Sequence, residues 1–138
     1  MEKVLVTPRS YGKNNPALLE TLANAGYEVV RNATGGIMEK GQIIEALSDC
    51  VGVILGVDPF DADVIASAPK LRAIARYGVG VDNIDLNAAK ARGIKVSRTV
   101  GANSEAVADY AMALMLALSR RVLPIDKRCR QGDWGKIT

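Results

Sequence analysis

A doubly wound α/β fold with a parallel sheet is what this sequence predicts, and three observations predict it. Short apolar runs rich in β-branched residues recur along the chain, each separated from the next by a stretch with helical spacing. The connections between runs are long enough for crossovers, which parallel pairing needs and hairpins do not. The third observation is the segment Arg76-Tyr77-Gly78-Val79-Gly80-Val81-Asp82-Asn83-Ile84-Asp85, which reads as the end of a strand, a glycine loop and the start of a helix.

Taken in order, Lys3–Thr7 is a short apolar run closed by Pro8 and reads as a buried strand. Asn15 caps a helix that has Pro16 in its first position and Gly26 just past its end. Tyr27–Val30 is the second strand. Thr34-Gly35-Gly36 turns the chain, and Met38–Leu47 places Ile43, Ile44 and Leu47 at helical spacing. Val51–Leu55, the most apolar run, is the third strand and the central one. Its exit loop is Gly56-Val57-Asp58-Pro59, after which Asp61 caps a helix from Ala62 to Ala68, ended by Pro69. The fourth strand is Leu71–Ala75; the glycine loop, a helix from Leu86 to Ala91 and a fifth strand, Ile94–Ser97, follow. Right-handed crossovers then give a five-stranded sheet of order 2-1-3-4-5, as in flavodoxin-like folds.

In open sheets of this kind, ligands sit beyond the carboxyl ends of the strands. The loops Pro8–Asn14, Gly56–Pro59 and Tyr77–Asp82 gather there, joined by Thr99–Asn103. Gly78 and Gly80 lack a Cβ, so this loop can take positive φ and let a bound group approach the backbone. Asp82, Asn83 and Asp85 offer oxygens to the unpaired amides of the following helix. Two readings stand side by side: a tight, well-capped turn, and a site for a carboxylate or phosphate. The dinucleotide fingerprint is not what the loop spells, because the third glycine of G-x-G-x-x-G falls at Asn83.

Beyond the sheet, Ser104 caps a helix to about Arg120 in which Ala106, Val107 and Ala108 and every residue from Tyr110 to Leu118 are apolar. A helix apolar all round is expected to be buried on all sides, by another domain or by a second copy. A shorter helix, Leu123–Gln131, follows it. The 138 residues are 49% apolar and carry a net charge of +3, with aromatics at only 4%. The stacking platforms of single-strand nucleic-acid binders are therefore missing. The basic cluster of Lys127, Arg128, Arg130 and Lys136 reads as a solvated face, so no nucleic-acid partner is expected. Cys50 and Cys129 match no metal spacing and read as reduced thiols. No leader and no membrane-length apolar run are evident, which points to a cytoplasmic protein without a membrane partner. Histidine is absent, which excludes Ser-His-Asp and Cys-His nucleophiles and any histidine proton shuttle.

The stretch Leu71–Asp85 resembles the carboxylate-binding segment of the D-isomer-specific 2-hydroxyacid dehydrogenases, and within them the phosphoglycerate dehydrogenase branch. Gly93–Ser97, Gly101–Ser104, Ala106–Asp109 and Arg130–Trp134 fit the same pattern in the same order. The match departs at Asp109, usually glutamate, and at Gly56-Val57-Asp58-Pro59, where some phosphoglycerate enzymes carry an Arg-Ser-type pair. The resemblance implies that residues 1–100 are the substrate-binding domain. It also implies that 101–138 are interdomain and dimerisation helices leading to a nucleotide-binding domain absent from these residues. Carried over by position, Gly56, Val57, Gly78, Val79 and Gly80 bind the substrate, with Val79 and Gly80 offering amides to its carboxylate. Val79 and Asn103 lie near the cofactor, which is NAD in the family. Asn103 has an equal reading as a cap for the helix that follows it. Arg76 pairs with a substrate anion, or with Asp82 or Asp85.

The expectation is therefore the substrate-binding half of an NAD-dependent dehydrogenase. It takes a small 2-hydroxy or 2-keto acid, binds no cofactor by itself, does not catalyse alone, and forms a homodimer through helix 104–120. The competing expectation is a stand-alone flavodoxin-like module that binds a small ligand or a partner. A receiver domain fits that alternative badly, because the first strand leads to Thr7-Pro8-Arg9 rather than to an aspartate. A flavin binder fits little better, with Ser10, Tyr11 and Gly12 in place of a phosphate loop.

Overall fold

The computed structural model describes residues 1–135; Lys136 of the basic cluster and the last two residues lie outside them. The chain divides into a unit from Met1 to Val100 and a second unit from Gly101 onward. In the first, β1 (Glu2–Val6), β2 (Tyr27–Arg31), β3 (Cys50–Leu55), β4 (Ala73–Arg76) and β5 (Lys95–Arg98) alternate with four helices. These are α1 (Ala17–Asn24), α2 (Lys40–Leu47), α3 (Ala62–Ala66) and α4 (Leu86–Ala91). All pairings are parallel and the order is β2-β1-β3-β4-β5, with β3 in the middle as its run of apolar residues predicts.

One row of side chains organises the core. Val30, Leu5, Val53, Ile74 and Val96 are register partners from one edge of the sheet to the other. Leu5, Val53 and Ile74 belong to the buried cluster completed by Ile43, Leu47, Val64, Ile65 and Ala89 of α2, α3 and α4, and the half-buried Val30 and Val96 pack against it. Strand alternation turns every second residue to one face, so the neighbouring row Val6, Ile54, Ala75 and Ser97 faces the other way. Each fully buried Leu or Ile of the cluster contributes roughly 2 kcal/mol from its removal from water.

Local chemistry sets the helix starts. Asp61 accepts from the amides of Asp63 and Val64 at 3.1 Å, and Asp85 accepts from Ala88 at 2.9 Å, so both predicted caps form. Most other ends differ from the sequence reading by one or two residues, and some for a visible reason. Helix α2 starts at Lys40 rather than Met38, because Glu39 and Gln42 close a capping box. Asn15 caps nothing with its side chain; Pro16, already at helical φ and ψ, takes the N-cap position of α1. Strand β4 is displaced toward Arg76, since Leu71 belongs to the turn that follows α3. Lys40 ties α2 to α3 through ion pairs with Asp61 at 2.7 Å and Asp63 at 2.6 Å.

The second unit holds α5 (Ser104–Ser119) and α6 (Val122–Arg130), joined at Arg121, whose φ of +52° is the one left-handed non-glycine conformation among the described residues. Asn103, not Ser104, is the N-cap residue of α5, and its side chain makes no capping hydrogen bond. Within the single chain α5 buries none of its residues; Tyr110, Met112 and Leu118 are all exposed. No helix among the described residues is long and apolar enough to cross a membrane.

Candidate functional site

The floor of the site is a buried polar knot. Thr7, the residue after β1, and Asp58, in the loop after β3, are both only 2% exposed. The Thr7 hydroxyl donates to Asp58 Oδ2 and accepts from the Gly56 amide at 2.8 Å. Asp58 Oδ1 accepts from the Met38 amide at 2.7 Å. Two strands that are neighbours in the sheet but distant in sequence are thus locked together where they leave it. Gly56 suits this closeness: a Cβ there would lie 3.0 Å from Asp58 Oδ2 and 3.4 Å from Thr7 Oγ1, so both side chains would have to shift slightly.

The glycine loop leaves β4 beside this knot. The Tyr77 amide donates to the Leu55 carbonyl at 2.9 Å, extending the pairing of β3 with β4 by one residue. Gly78 then takes φ +151°, a region closed to ordinary side chains, and a Cβ would fall 2.6 Å from Arg76 Nη1. Gly80 is different. Its φ is not positive, so only Gly78 carries the conformational role expected of both. Among the described residues, the amides of Val79 and Gly80 donate to no protein acceptor.

Side chains of the loop divide the work differently from the sequence reading. Of the three expected cap residues only Asp85 caps. Asn83 instead donates from Nδ2 to the carbonyls of Gly56 at 3.1 Å and Asp58 at 2.7 Å, strapping the two loops together. A parallel bridge between Phe60 and Ile84 continues that strap, with Phe60 fully buried. Arg76 forms no ion pair with Asp82 or Asp85 among the described residues. Its Nη1 donates to the backbone carbonyls of Tyr77 at 2.5 Å and Leu55 at 3.4 Å, and its Nε is buried without a partner.

Above the knot opens a cleft of about 570 Å³ at the carboxyl ends of β1, β3 and β4, where the strand order reverses direction. Gly56 and Val57 line it, as does Tyr77. Gly78, Val79 and Gly80 continue directly from Tyr77 and are not part of the lining. The Gly56 amide is spent on Thr7, whereas Val57, which also lines the cleft, is 61% exposed. Asn103 belongs to the second unit. Arg9 and Lys13, from the loop after β1, also line the cleft, and Tyr11 of that loop meets Tyr77 edge-on with ring centroids 5.6 Å apart. The sequence reading placed this loop at the ligand end but singled out none of its charges. It missed Gly36 and Ile37 of the cleft wall altogether.

Hydrogen bonds from Lys70 and Lys40 hold the carboxyls of Asp49 and Asp61 below the ordinary carboxylate range. Burial pushes the Cys50 thiol up, and both cysteines are free. No cluster of three metal-ligating residues occurs among the described residues.

A parallel sheet of order 2-1-3-4-5 with a cleft at its strand ends makes this a doubly wound α/β domain, a class whose ligands sit beyond the carboxyl ends of the strands. The chain belongs to the D-isomer specific 2-hydroxyacid dehydrogenase family, whose catalytic-domain model matches residues 4–126. A glyoxylate reductase of Korarchaeum cryptofilum is 48% identical over 96 residues, covering 69% of this chain and 29% of that protein. Among solved structures, the TT0316 protein of Thermus thermophilus superposes with a TM-score of 0.84 at 39% identity, over 99% of this chain and 42% of the other. An NAD+-bound 3-phosphoglycerate dehydrogenase of Entamoeba histolytica gives a TM-score of 0.73 at 32% identity, over 84% of this chain and 38% of that one. The chain thus spans less than a third of the length of that curated relative and under half of each of these solved chains.

Proposed function

We propose that residues 1–100 are the substrate-binding domain of an NAD-dependent D-2-hydroxyacid dehydrogenase of phosphoglycerate dehydrogenase-like type. The domain holds the carboxylate of a small 2-hydroxy or 2-oxo acid on the amides of Val79 and Gly80, with Val57 facing it across the cleft. The observation that carries this reading is the pair of unpaired amides that follows Gly78. Backbone N–H groups are seldom left without an acceptor unless water or a ligand supplies one, and two adjacent ones suit the two oxygens of a carboxylate.

NAD, the cofactor of the parent activity, is assigned to segments other than these residues. The 138 residues contain no G-x-G-x-x-G, and the third glycine's place is taken by Asn83, whose side chain fills the loop with its own straps. Val79 and Asn103 are proposed to lie near the bound dinucleotide in the complete enzyme, supported by the family pattern. With no histidine and no dinucleotide loop, the 138-residue polypeptide is proposed not to transfer hydride by itself. Residues 101–138 are proposed as interdomain and dimerisation helices, with α5 meeting a second copy; its exposed apolar residues support this, since patches of that kind mark interaction surfaces.

The test is an amide-resolved NMR titration of the 138-residue chain with glycolate and glyoxylate, run beside Gly78→Ala. The expected result is saturable shifts at Val57, Val79 and Gly80, lost in the variant, in which the strained φ must relax. Shifts confined to other residues, or none, refute the carboxylate site.

A further inference from the structure

The half-buried side chain of Asn83 donates from Nδ2 to two backbone carbonyls of the loop after β3, Gly56 at 3.1 Å and Asp58 at 2.7 Å. Both neighbours are acceptors, so only an end that bears N–H groups can serve them, and a carboxylate of the same shape cannot. The turn around Asn83 is also pinned by its backbone. The Phe60 amide donates to the Asn83 carbonyl at 2.8 Å, the Asp85 amide donates to the Phe60 carbonyl at 3.0 Å, and Asp85 caps α4. The two side-chain bonds come on top of that pairing.

Holding the Gly56 oxygen also fixes the next amide. No peptide bond among the described residues is cis, and in a trans peptide the C=O and N–H of one unit point to opposite sides. The Gly56–Val57 peptide, its oxygen turned to Asn83, therefore turns the Val57 N–H away from Asn83. Among the described residues that N–H donates to no protein acceptor, whereas the Gly56 amide is taken by Thr7. Val57 is exposed and lines the cleft. It thus joins Val79 and Gly80 as an amide without an acceptor at the strand ends, and one side chain sets its direction.

We propose that Asn83 is a positioning residue: by holding the Gly56 carbonyl it aims the Val57 N–H, as a third donor, at the acid that Val79 and Gly80 grip. The proposal rests on the carboxylate reading of the glycine loop. Without the strap the Gly56–Val57 peptide is free to swing, since glycine hinders that rotation least. A donor fixed in advance costs no ordering when the ligand arrives, and a swinging one does.

The experiment repeats the glycolate and glyoxylate NMR titration of the 138-residue chain with Asn83→Asp, Asn83→Ala and Ile43→Val. Asn83→Asp keeps the shape and sets oxygens against both carbonyls. Asn83→Ala removes the side chain without that repulsion, and keeps the test open if Asn83→Asp unfolds. Ile43→Val lowers stability alone, since Ile43 is buried in α2, belongs to neither loop and lines no part of the cleft. In the parent, binding is expected to move the Val57, Val79 and Gly80 amide protons downfield, as new hydrogen bonds do. Both Asn83 variants are expected to bind roughly tenfold more weakly, the worth of one hydrogen bond to a charged group. At saturation Val79 and Gly80 still respond in them and Val57 does not, whereas Ile43→Val keeps all three responses and the parent affinity. Variants that bind within about twofold of the parent, with the Val57 response intact, overturn the proposal. Weaker binding with all three responses retained at saturation, or an equal loss in Ile43→Val, overturns it as well, because a loss of stability alone produces both. Parent shifts at Val79 and Gly80 but not at Val57 overturn the proposal and leave the carboxylate reading standing. A Val57 response that Asn83 controls, without any at Val79 and Gly80, upholds the positioning role and overturns the carboxylate reading. No shift in the parent overturns both.

Discussion

Replacing Thr7 by valine removes the centre of the polar knot at nearly constant shape. The hydroxyl is the donor for Asp58 Oδ2 and the acceptor for the Gly56 amide, and the surrounding residues shut out water. Valine leaves one buried acceptor and one buried donor without partners, at roughly 1–3 kcal/mol each. Relief from burying the hydroxyl itself offsets part of that, so about 3 kcal/mol net is expected. Against the 5–15 kcal/mol typical of a domain, this is a large fraction. With a urea slope of about 1–2 kcal/mol/M, the unfolding midpoint falls by roughly 1.5–3 M. The assay must report on the first unit. Trp134, the single tryptophan, lies in the second, so near-UV dichroism of the tyrosines and the amide signals of Leu5 and Ile74 are the proper probes. Thr7→Ser keeps the hydroxyl and loses one methyl group, for about 1 kcal/mol. A valine variant within about 0.5 kcal/mol of the parent, or a serine variant as unstable as the valine one, refutes the reasoning.

Two further outcomes follow from the surroundings of individual groups. Cys50 is fully buried with its thiol pushed up by that burial, while Cys129 is partly exposed. An Ellman titration of the native protein is expected to show one fast thiol, abolished by Cys129→Ser; two fast thiols contradict the burial of Cys50. Asp49 and Asp61, whose carboxyls Lys70 and Lys40 hold below the ordinary 3.8, contribute stability that is full above that value and lost as pH falls through their lower folded values. Lys40 and Lys70, raised above 10.5 by the same pairs, contribute stability that is lost as pH rises through their folded values. Melting temperature is expected to drop at both extremes, and Asp61→Asn to soften the acid limb; an acid limb unchanged in that variant removes the Lys40 pair from the account.

Strand order was legible because each β run is apolar, β-branched and bounded by glycine, proline or a capping acid, and because parallel crossovers leave few topologies open. Helices capped by one residue bonding to its own helix start were legible too, as Asp61 and Asp85 illustrate. The glycine loop could be found from spacing alone, and so could two loops that line the cleft beside it, Pro8–Asn14 and Gly56–Pro59. What could not be read were contacts between loops. Asn83 before a helix looks like a cap, and nothing local says that its amide reaches Gly56 and Asp58. Thr7 and Asp58 are 51 residues apart in the chain, and Asp58-Pro59 by itself spells only a turn. Arg76 invited an acidic partner because two aspartates follow closely; backbone carbonyls took it instead, since β4 delivers its guanidinium toward Leu55 and Tyr77.

The sheet order has one more effect, at its margins. Edge strands expose unpaired backbone groups and can recruit strands from other molecules. Here the two edges are β2 and β5, only five and four residues long, and both are guarded by charge. Strand β5 carries Lys95 and Arg98, and β2 carries Glu28 and Arg31. Two β5 edges meeting antiparallel would set cation against cation. Growth of the sheet from copy to copy is thereby discouraged, and association is steered away from fibrous, edge-to-edge stacking.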